Sequence, residues 1–439
     1  MNRLSRIVWC LPVLFCSMSA VSSRLGAADP ADSKPEGNQA EWSQFHGPKG
    51  RGTVPASPLP LEWSETKNIR WKLPLPGKAW SSPVIQAGRV WCSNATEDGR
   101  SLSVVGVDLT TGKKVVDKVL FEIAKPQFNI AYNSYASPTP AAGESLVFVH
   151  FGSPGTACLD AKTGDVVWTR RDLPCHHWRG PGSSPIYDNG KIYLCFDGYD
   201  FQYIACLEAK TGKTLWRTDR NITYDTDFGD YKKAFATPAL MDVGGKRTLV
   251  CPSAGATQGF DPETGKLLWF VQHGGMNASN VPQSDGQRIF LQSGDGGFAL
   301  HAVEPGENPK GNITPKVSWK SNRGTPAYAS ILVKDGLVFY ARDRDAGGTA
   351  TCLEGATGQS VWQERLGGGK LHASPILVGD RIYLFDDMGA GFVISASKSF
   401  KKLGGGKLEE GCMASPAVAG DNLIVRTKGH LYCIGTSAP

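Results

Sequence analysis

The chain alternates short apolar runs with turn-forming polar segments, and the alternation repeats. Each repeat opens on Ser or Thr, usually followed by Pro. An apolar strand follows after a Gly, then a second apolar strand ending in Asp or Glu, a Thr-Gly turn, and a strand carrying Trp. The openings are Ser82-Pro83, Ser137-Pro138, Ser184-Pro185, Thr237-Pro238, a degenerate one near Val281-Pro282, Ser330-Ile331, Ser374-Pro375 and Ser415-Pro416. The mean step is about 48 residues, within the ~40–50 of a four-stranded propeller blade. Runs this short, bounded by turn residues, read as strands.

The turns carry the clearest signal. They are Asp108-x-x-Thr111-Gly112, Asp160-x-x-Thr163-Gly164, Glu208-x-x-Thr211-Gly212, Asp261-x-x-Thr264-Gly265 and Glu354-x-x-Thr357-Gly358. Trp168, Trp216, Trp269 and Trp362 follow in register, with Val116 in that place once. Gly supplies the positive φ that closes a hairpin. The acid and Thr accept bonds from turn amides, and Trp is a plate able to pack one blade on the next. The repeats starting near 281 and 374 lack a clear turn of this kind.

The ends fit a ring. The last repeat has room for only three strands (ASPAV, NLIVR, LYCIG), and Ile69-Arg-Trp71-Lys-Leu73-Pro-Leu75 resembles a missing outer strand. The expected fold is therefore all-β: an eight-bladed β-propeller closed by an N-terminal strand that completes the last blade. Closure removes the exposed edge that an open β-solenoid would keep. Abundant glycine (52) and proline (28) suit many turns and few helices.

The first 28 residues read differently. Arg3 and Arg6 precede an apolar run from Ile7 to Met18, then small residues at Gly26, Ala27 and Ala28. This pattern predicts a secretory signal peptide (1–28), its apolar run too short to span a bilayer. Cys16 is a poor lipidation site because bulky Phe15 precedes it. Residues 29–40 read as a flexible polar leader, and 41–439 as a single propeller domain. The expected location is periplasmic or extracellular.

Formal charge is +6, but Arg3, Arg6 and Arg24 belong to the signal segment, so the remainder is close to neutral. That balance does not favour a nucleic-acid partner or an anionic membrane surface. Nine cysteines follow the signal segment, an odd number that leaves at least one thiol free. Several occupy equivalent repeat positions (Cys158, Cys206, Cys352, Cys433), where cysteine acts as a small buried hydrophobe.

The D/E-x-x-T-G-x-x-x-W turn resembles the tryptophan-docking motif of the quinoprotein-like (PQQ-like) propellers, and covers nearly the whole chain after the leader. The opening Glu41-Trp42-Ser-Gln44-Phe45-His46-Gly47-Pro48, with Leu61-x-Trp63 and Ile69-Arg-Trp71, is similar to the start of secreted PQQ-like repeat proteins. The resemblance implies one of two groups. One is the pyrroloquinoline-quinone-dependent dehydrogenases. The other is a non-catalytic group that includes the outer-membrane assembly lipoprotein of the β-barrel machinery. In the dehydrogenases it implies a quinone held at the channel mouth under a ring of two adjacent cysteines, Ca²⁺ on a Glu and an Asn, and an Asp base. This chain has no adjacent cysteine pair, and none of its positions matches those ligands or that base.

Loops between blades meet at one propeller face. The loop Pro174-Cys175-His176-His177-Trp178-Arg179-Gly180 offers polar ligand contacts at His176, His177 and Arg179; adjacent residues chelate one metal ion poorly, so no metal is expected. Arg342 and Arg344, in an alternating-charge stretch, are candidates for an anion or carboxylate ligand, or else neutralise neighbouring acids. Asn133 and His372, each just before a strand start, are candidates for lining the channel. Asp225-Thr-Asp227-Phe228-Gly229 contains a kinase-like string without the other kinase elements, and its acids fit no EF-hand spacing. No catalytic set emerges. The expected function is a cell-envelope scaffold, without cofactor, that binds a partner protein or small polar ligand. A quinone-dependent oxidoreductase using calcium and an outer-membrane assembly factor are the alternatives.

Overall fold

The computed structural model describes residues 42–322, 324–344 and 347–436; the expected signal peptide and leader lie outside the described residues. Within them the chain forms eight sheets, each built on antiparallel strands in sequence order. Blades 1 to 8 span 84–122, 141–170, 186–219, 239–272, 283–321, 332–365, 376–407 and 417–434. Among the described residues, no helix is long and apolar enough to cross a membrane.

The apolar runs follow from burial on both faces. In the second strand of blade 4, Leu249 and Cys251 pack against blade 3 while Val250 packs against blade 5. In blade 5, Ile289 and Leu291 face blade 4 and Phe290 faces blade 6. Alternate side chains thus enter different inter-blade cores, as the two-residue strand period requires. Each such aliphatic or Phe side chain contributes about 1.5–3 kcal/mol on burial. The nine cysteines among the described residues are buried and unbridged.

The Thr-Gly turn does two things at once. In blade 1, Asp108 Oδ1 accepts bonds from the Thr111 amide (2.8 Å) and hydroxyl (2.7 Å). In blade 3, Gly212 holds φ at 71°, and a Cβ there would lie 2.7 Å from the Trp168 ring of blade 2. Trp168 also donates from Nε1 to Ala209 O (2.8 Å). The missing side chain therefore makes room for the neighbour's tryptophan.

Closure takes the form the sequence predicts. Ile69–Pro74 pairs antiparallel with His430–Ile434, with Trp71 opposite Cys433 and Leu73 opposite Leu431. Trp71 then docks on Gly112 of blade 1 and donates to Leu109 O (2.9 Å). One continuous core joins blades 7, 8 and 1.

A second ring lies at the blade starts. The backbone amide of one start donates to the hydroxyl of the next: Ser82 to Thr139 (2.9 Å), Thr139 to Ser184 (3.0 Å) and Ser184 to Thr237 (3.0 Å). The series resumes from Val281 to Ser330, Ser374 and Ser415. Ser415 N closes it on Ser82 Oγ (3.0 Å). Blade 2 thus starts at Thr139-Pro140, two residues beyond the Ser137-Pro138 read from the sequence. Val281 has no hydroxyl, so it cannot accept from Thr237.

The two degenerate repeats are completed in different ways. In blade 5 an insertion replaces the turn; its Gly311–Asn312 joins the outer edge of blade 4 in parallel, and Trp319 still donates to Gly355 O (2.9 Å). Blade 7 ends in Lys402–Lys407, which carries Gly404, Gly405 and Gly406 but no Trp. Glu62–Trp63 runs parallel to it, and Trp63, 3% exposed, lies 5.3 Å from Phe385. A Cβ on Gly404 would come within 2.1 Å of Leu61 O, so this strap requires glycine there.

Candidate functional site

The segment before the strap enters the ring from below. Trp42 bridges to Ile85 of blade 1, and Ser43 O accepts from Ala142 N of blade 2 (2.7 Å). Gly50 O accepts from Gln283 Nε2 of blade 5 (2.8 Å), and Thr53–Val54 pairs parallel with Ile376–Val378 of blade 7. His46 is fully buried, with Nε2 3.0 Å from Pro375 O and Nδ1 3.1 Å from Gly50 O; burial lowers its pKa. Four blades are therefore tied together by one segment that fills the space between innermost strands.

Above this plug lies a cavity of about 180 Å³, with Phe45 of the plug in its wall. Every blade contributes to it by one rule. The residue two positions before each ring residue lines the cavity: Trp80, Ser137, Gly182, Phe235, Ser279, Tyr328, His372 and Met413. The ring fixes the backbone register, and the residue two positions earlier meets the axis. Tyr132, Asn133, Arg179, Asn277 and Asp295 add polar groups to the wall.

The polar groups are mostly committed. Asn133 Nδ2 donates to Arg179 O (2.9 Å) and Pro181 O (3.1 Å), while its Oδ1 accepts from Ser134 N (2.8 Å) and the Ser137 hydroxyl. Arg179 forms a two-pronged ion pair with Asp230, Nε to Oδ1 at 2.8 Å and the second prong from Nη2 to Oδ2. Asp343, buried in blade 6, accepts amide bonds from Ala327, Tyr328 and Ala329 and so fixes Tyr328 in the wall. Asn277 Nδ2 donates to Asp295 (3.2 Å), and its buried Oδ1 has no partner.

Tyr132 brings its hydroxyl within 2.5 Å of His372 Nε2 and 2.9 Å of Nδ1. Burial lowers His372 to about 4, against an opposing pull from Asp387. Burial, then the nearby Tyr328, Asp343 and Asp387, raise Tyr132. The imidazole is neutral and the phenol protonated at neutral pH. Neither is matched to proton transfer there, which favours groups titrating near the working pH. Both are suited to hydrogen-bonding a ligand.

The sequence-derived candidates divide. Asn133, Arg179 and His372 meet at the cavity. His176 lies outside it among exposed aromatics. His177 is buried, accepts from Ser153 N through Nε2 (2.9 Å), and burial holds its pKa well down. Arg344 lies 3.7 Å over the Phe298 ring, and Arg342 runs past Gly324; neither lines the cavity. Sequence reasoning missed Trp80, Phe235, Tyr328 and Met413. The signal that finds them is the register of the ring residue, obscured in blade 2 by Ser137-Pro138-Thr139-Pro140.

A quinone bearing several carboxylates would meet an already opposed cation in this cavity. The cavity's cation among the described residues, Arg179, is already neutralised by Asp230. No group of three His, Cys, Asp or Glu among the described residues could hold a metal ion.

Ring, docked tryptophans and axial cavity define a quinoprotein-like eight-bladed propeller. The chain belongs to the PQQ-like repeat family whose model is described as outer membrane protein assembly factor BamB, matched over residues 57–171, 103–269 and 310–434. Among solved structures, BamB from Moraxella catarrhalis is 14% identical, with 83% of this chain and 98% of that chain covered and a TM-score of 0.57. A europium-containing methanol dehydrogenase is 11% identical, covering 90% and 98%, with a TM-score of 0.63. Quinohemoprotein alcohol dehydrogenase from Comamonas testosteroni is 12% identical, covering 91% and 81%, with a TM-score of 0.61. Likenesses at this identity concern the fold. No curated protein matches the sequence.

Proposed function

We propose that this propeller is an exported, non-catalytic scaffold that binds a partner protein or a small polar ligand on its loop face. The observation that carries the reading is the axial cavity: all eight blades build it, yet its titratable groups lie far from neutrality or are already paired. A binding pocket needs shape and a few placed polar atoms; a catalyst needs a group poised to react. The apolar run at Ile7–Met18 supports export.

The test is to add pyrroloquinoline quinone with Ca²⁺ to purified protein, recording absorbance and dye-linked alcohol and sugar oxidation. The scaffold reading expects neither a bound chromophore nor turnover; both together would sink it. In parallel, the tagged protein is used to capture partners from envelope extract. The scaffold reading expects capture that weakens in His372→Ala and Tyr328→Ala. The family match favours a second reading, a role in outer-membrane protein assembly. Recovery of a β-barrel assembly component would select it, and its consistent absence would remove it.

A further inference from the structure

Two of the buried cysteines face each other across the seam between neighbouring blades. The second strands of blades 3 and 4 are Lys191–Asp197 and Lys246–Pro252. Side chains alternate along both. In the first, Ile192, Leu194 and Phe196 enter the core shared with blade 2, so Tyr193, Cys195 and Asp197 turn toward blade 4. In the second, Leu249 and Cys251 enter the same core as Tyr193 and Cys195.

Hydrogen bonds at one end of the seam set its register. Ser253 donates from Oγ to Asp197 Oδ1 (3.0 Å). Arg220 donates to Asp197 Oδ2 (2.6 Å) and to Cys251 O (2.9 Å). Asp197 of blade 3 is therefore level with Ser253 of blade 4. Two residues back along each chain, on the same faces, Cys195 is level with Cys251. Burial, then a hydrogen bond with the Cys195 thiol, holds the Cys251 thiol well above its usual pKa. Cys206 shares this core but lies on the third strand of blade 3, opposite Tyr193, and so is out of line with the pair.

The same seam buries an ion pair, with the Arg220 and Asp197 side chains 0% and 1% exposed. Desolvation cancels much of what such a pair gains. A covalent link buries no charge and restricts the unfolded chain, the more so when it closes a long loop. We propose that Cys195 and Cys251 form a disulfide joining blades 3 and 4 as the chain folds in an oxidising compartment. One S–S bond replaces two S–H bonds. The two protons and two electrons pass to a second disulfide, that of a thiol oxidase or of oxidised glutathione, which leaves as two thiols. Exchange needs a thiolate at an accessible sulfur. Both sulfurs are buried in the folded chain, so the bond forms before the seam closes and is shielded from reductants afterwards.

The test is oxidative refolding. Full-length protein, reduced and unfolded in urea, is refolded with reduced and oxidised glutathione, alkylated, and digested with trypsin without reduction. The expected result is a cross-linked pair of peptides, 192–210 and 248–266, that dithiothreitol separates. The first peptide also contains Cys206, so Cys206→Ala keeps the cross-link while Cys195→Ala and Cys251→Ala each abolish it. The melting temperature of the bridged wild type falls on reduction, and that of Cys195→Ala does not; circular dichroism shows every variant folded. A folded wild type with both cysteines alkylated overturns the proposal. So does a cross-link that Cys195→Ala keeps. Because refolding is done in vitro, failure here leaves export and ligand binding untouched, and failure of capture from envelope extract leaves the cysteine pair untouched.

Discussion

Single residues decide how one blade meets the next. Trp63 takes the place of a tryptophan that blade 7 lacks, and it is almost fully buried. Trp63→Ala is expected to cost about 3–5 kcal/mol, read from urea denaturation. Lys233 is a different case. Its side chain is buried, Nζ has no hydrogen-bond partner, and it lies 4.4 Å from the Phe235 ring. Burial lowers its pKa from 10.5 to about 8, partly offset by Cys175, Asp197 and Asp230. Between those two pH values the unfolded chain holds a proton that the folded chain has released, so stability rises with pH across that window and the penalty is complete below it. Lys233→Met is expected to raise the melting temperature at pH 7 and to flatten the rise between pH 8 and 10. A variant that keeps the wild-type slope would show that another group causes it. The docking residues were legible in the sequence because D-x-x-T-G-x-x-x-W is local. Lys233 was not, because its burial depends on loops far apart in the chain.

At the scale of elements, strand order within a blade follows from turn chemistry, but the ring that aligns the blades depends on hydroxyls meeting amides across some fifty residues or, at closure, across 333. Ser82 is buried, and Ser82→Ala leaves the Ser415 amide without its acceptor. Such a loss costs roughly 1–3 kcal/mol, and the denaturant midpoint should fall with an unchanged slope. An unshifted midpoint would mean that water replaces the hydroxyl. The blade starts were visible as Ser/Thr-Pro pairs. The register within blade 2 was not, since Ser137-Pro138 and Thr139-Pro140 are equivalent locally and only the bonds to Ser82 and Ser184 distinguish them. The same ambiguity hid the residues two positions upstream that line the cavity.

For the whole molecule, residues 42–75 act as plug, strap and final strand together. A chain beginning at residue 76 would lose the partner of His430–Ile434 and the cover of Lys402–Lys407. Open strand edges pair with other chains, so size-exclusion chromatography should show this truncated form as oligomers or aggregate rather than a monomer; a stable monomer would show that the ring closes without the segment.

The sequence by itself determined the all-β repeat, the count of eight and the strand that closes the ring, because strand period, turn chemistry and tryptophan docking each act over a few residues. Only the tertiary structure decided that Asn133, Arg179 and His372 share a cavity while His177 is buried in the fold and Arg344 is stacked on Phe298. It alone turned the opening residues Trp42 to Leu59 into a plug. Those outcomes depend on where closure brings distant loops, and closure is a property of the ring, which no single repeat contains.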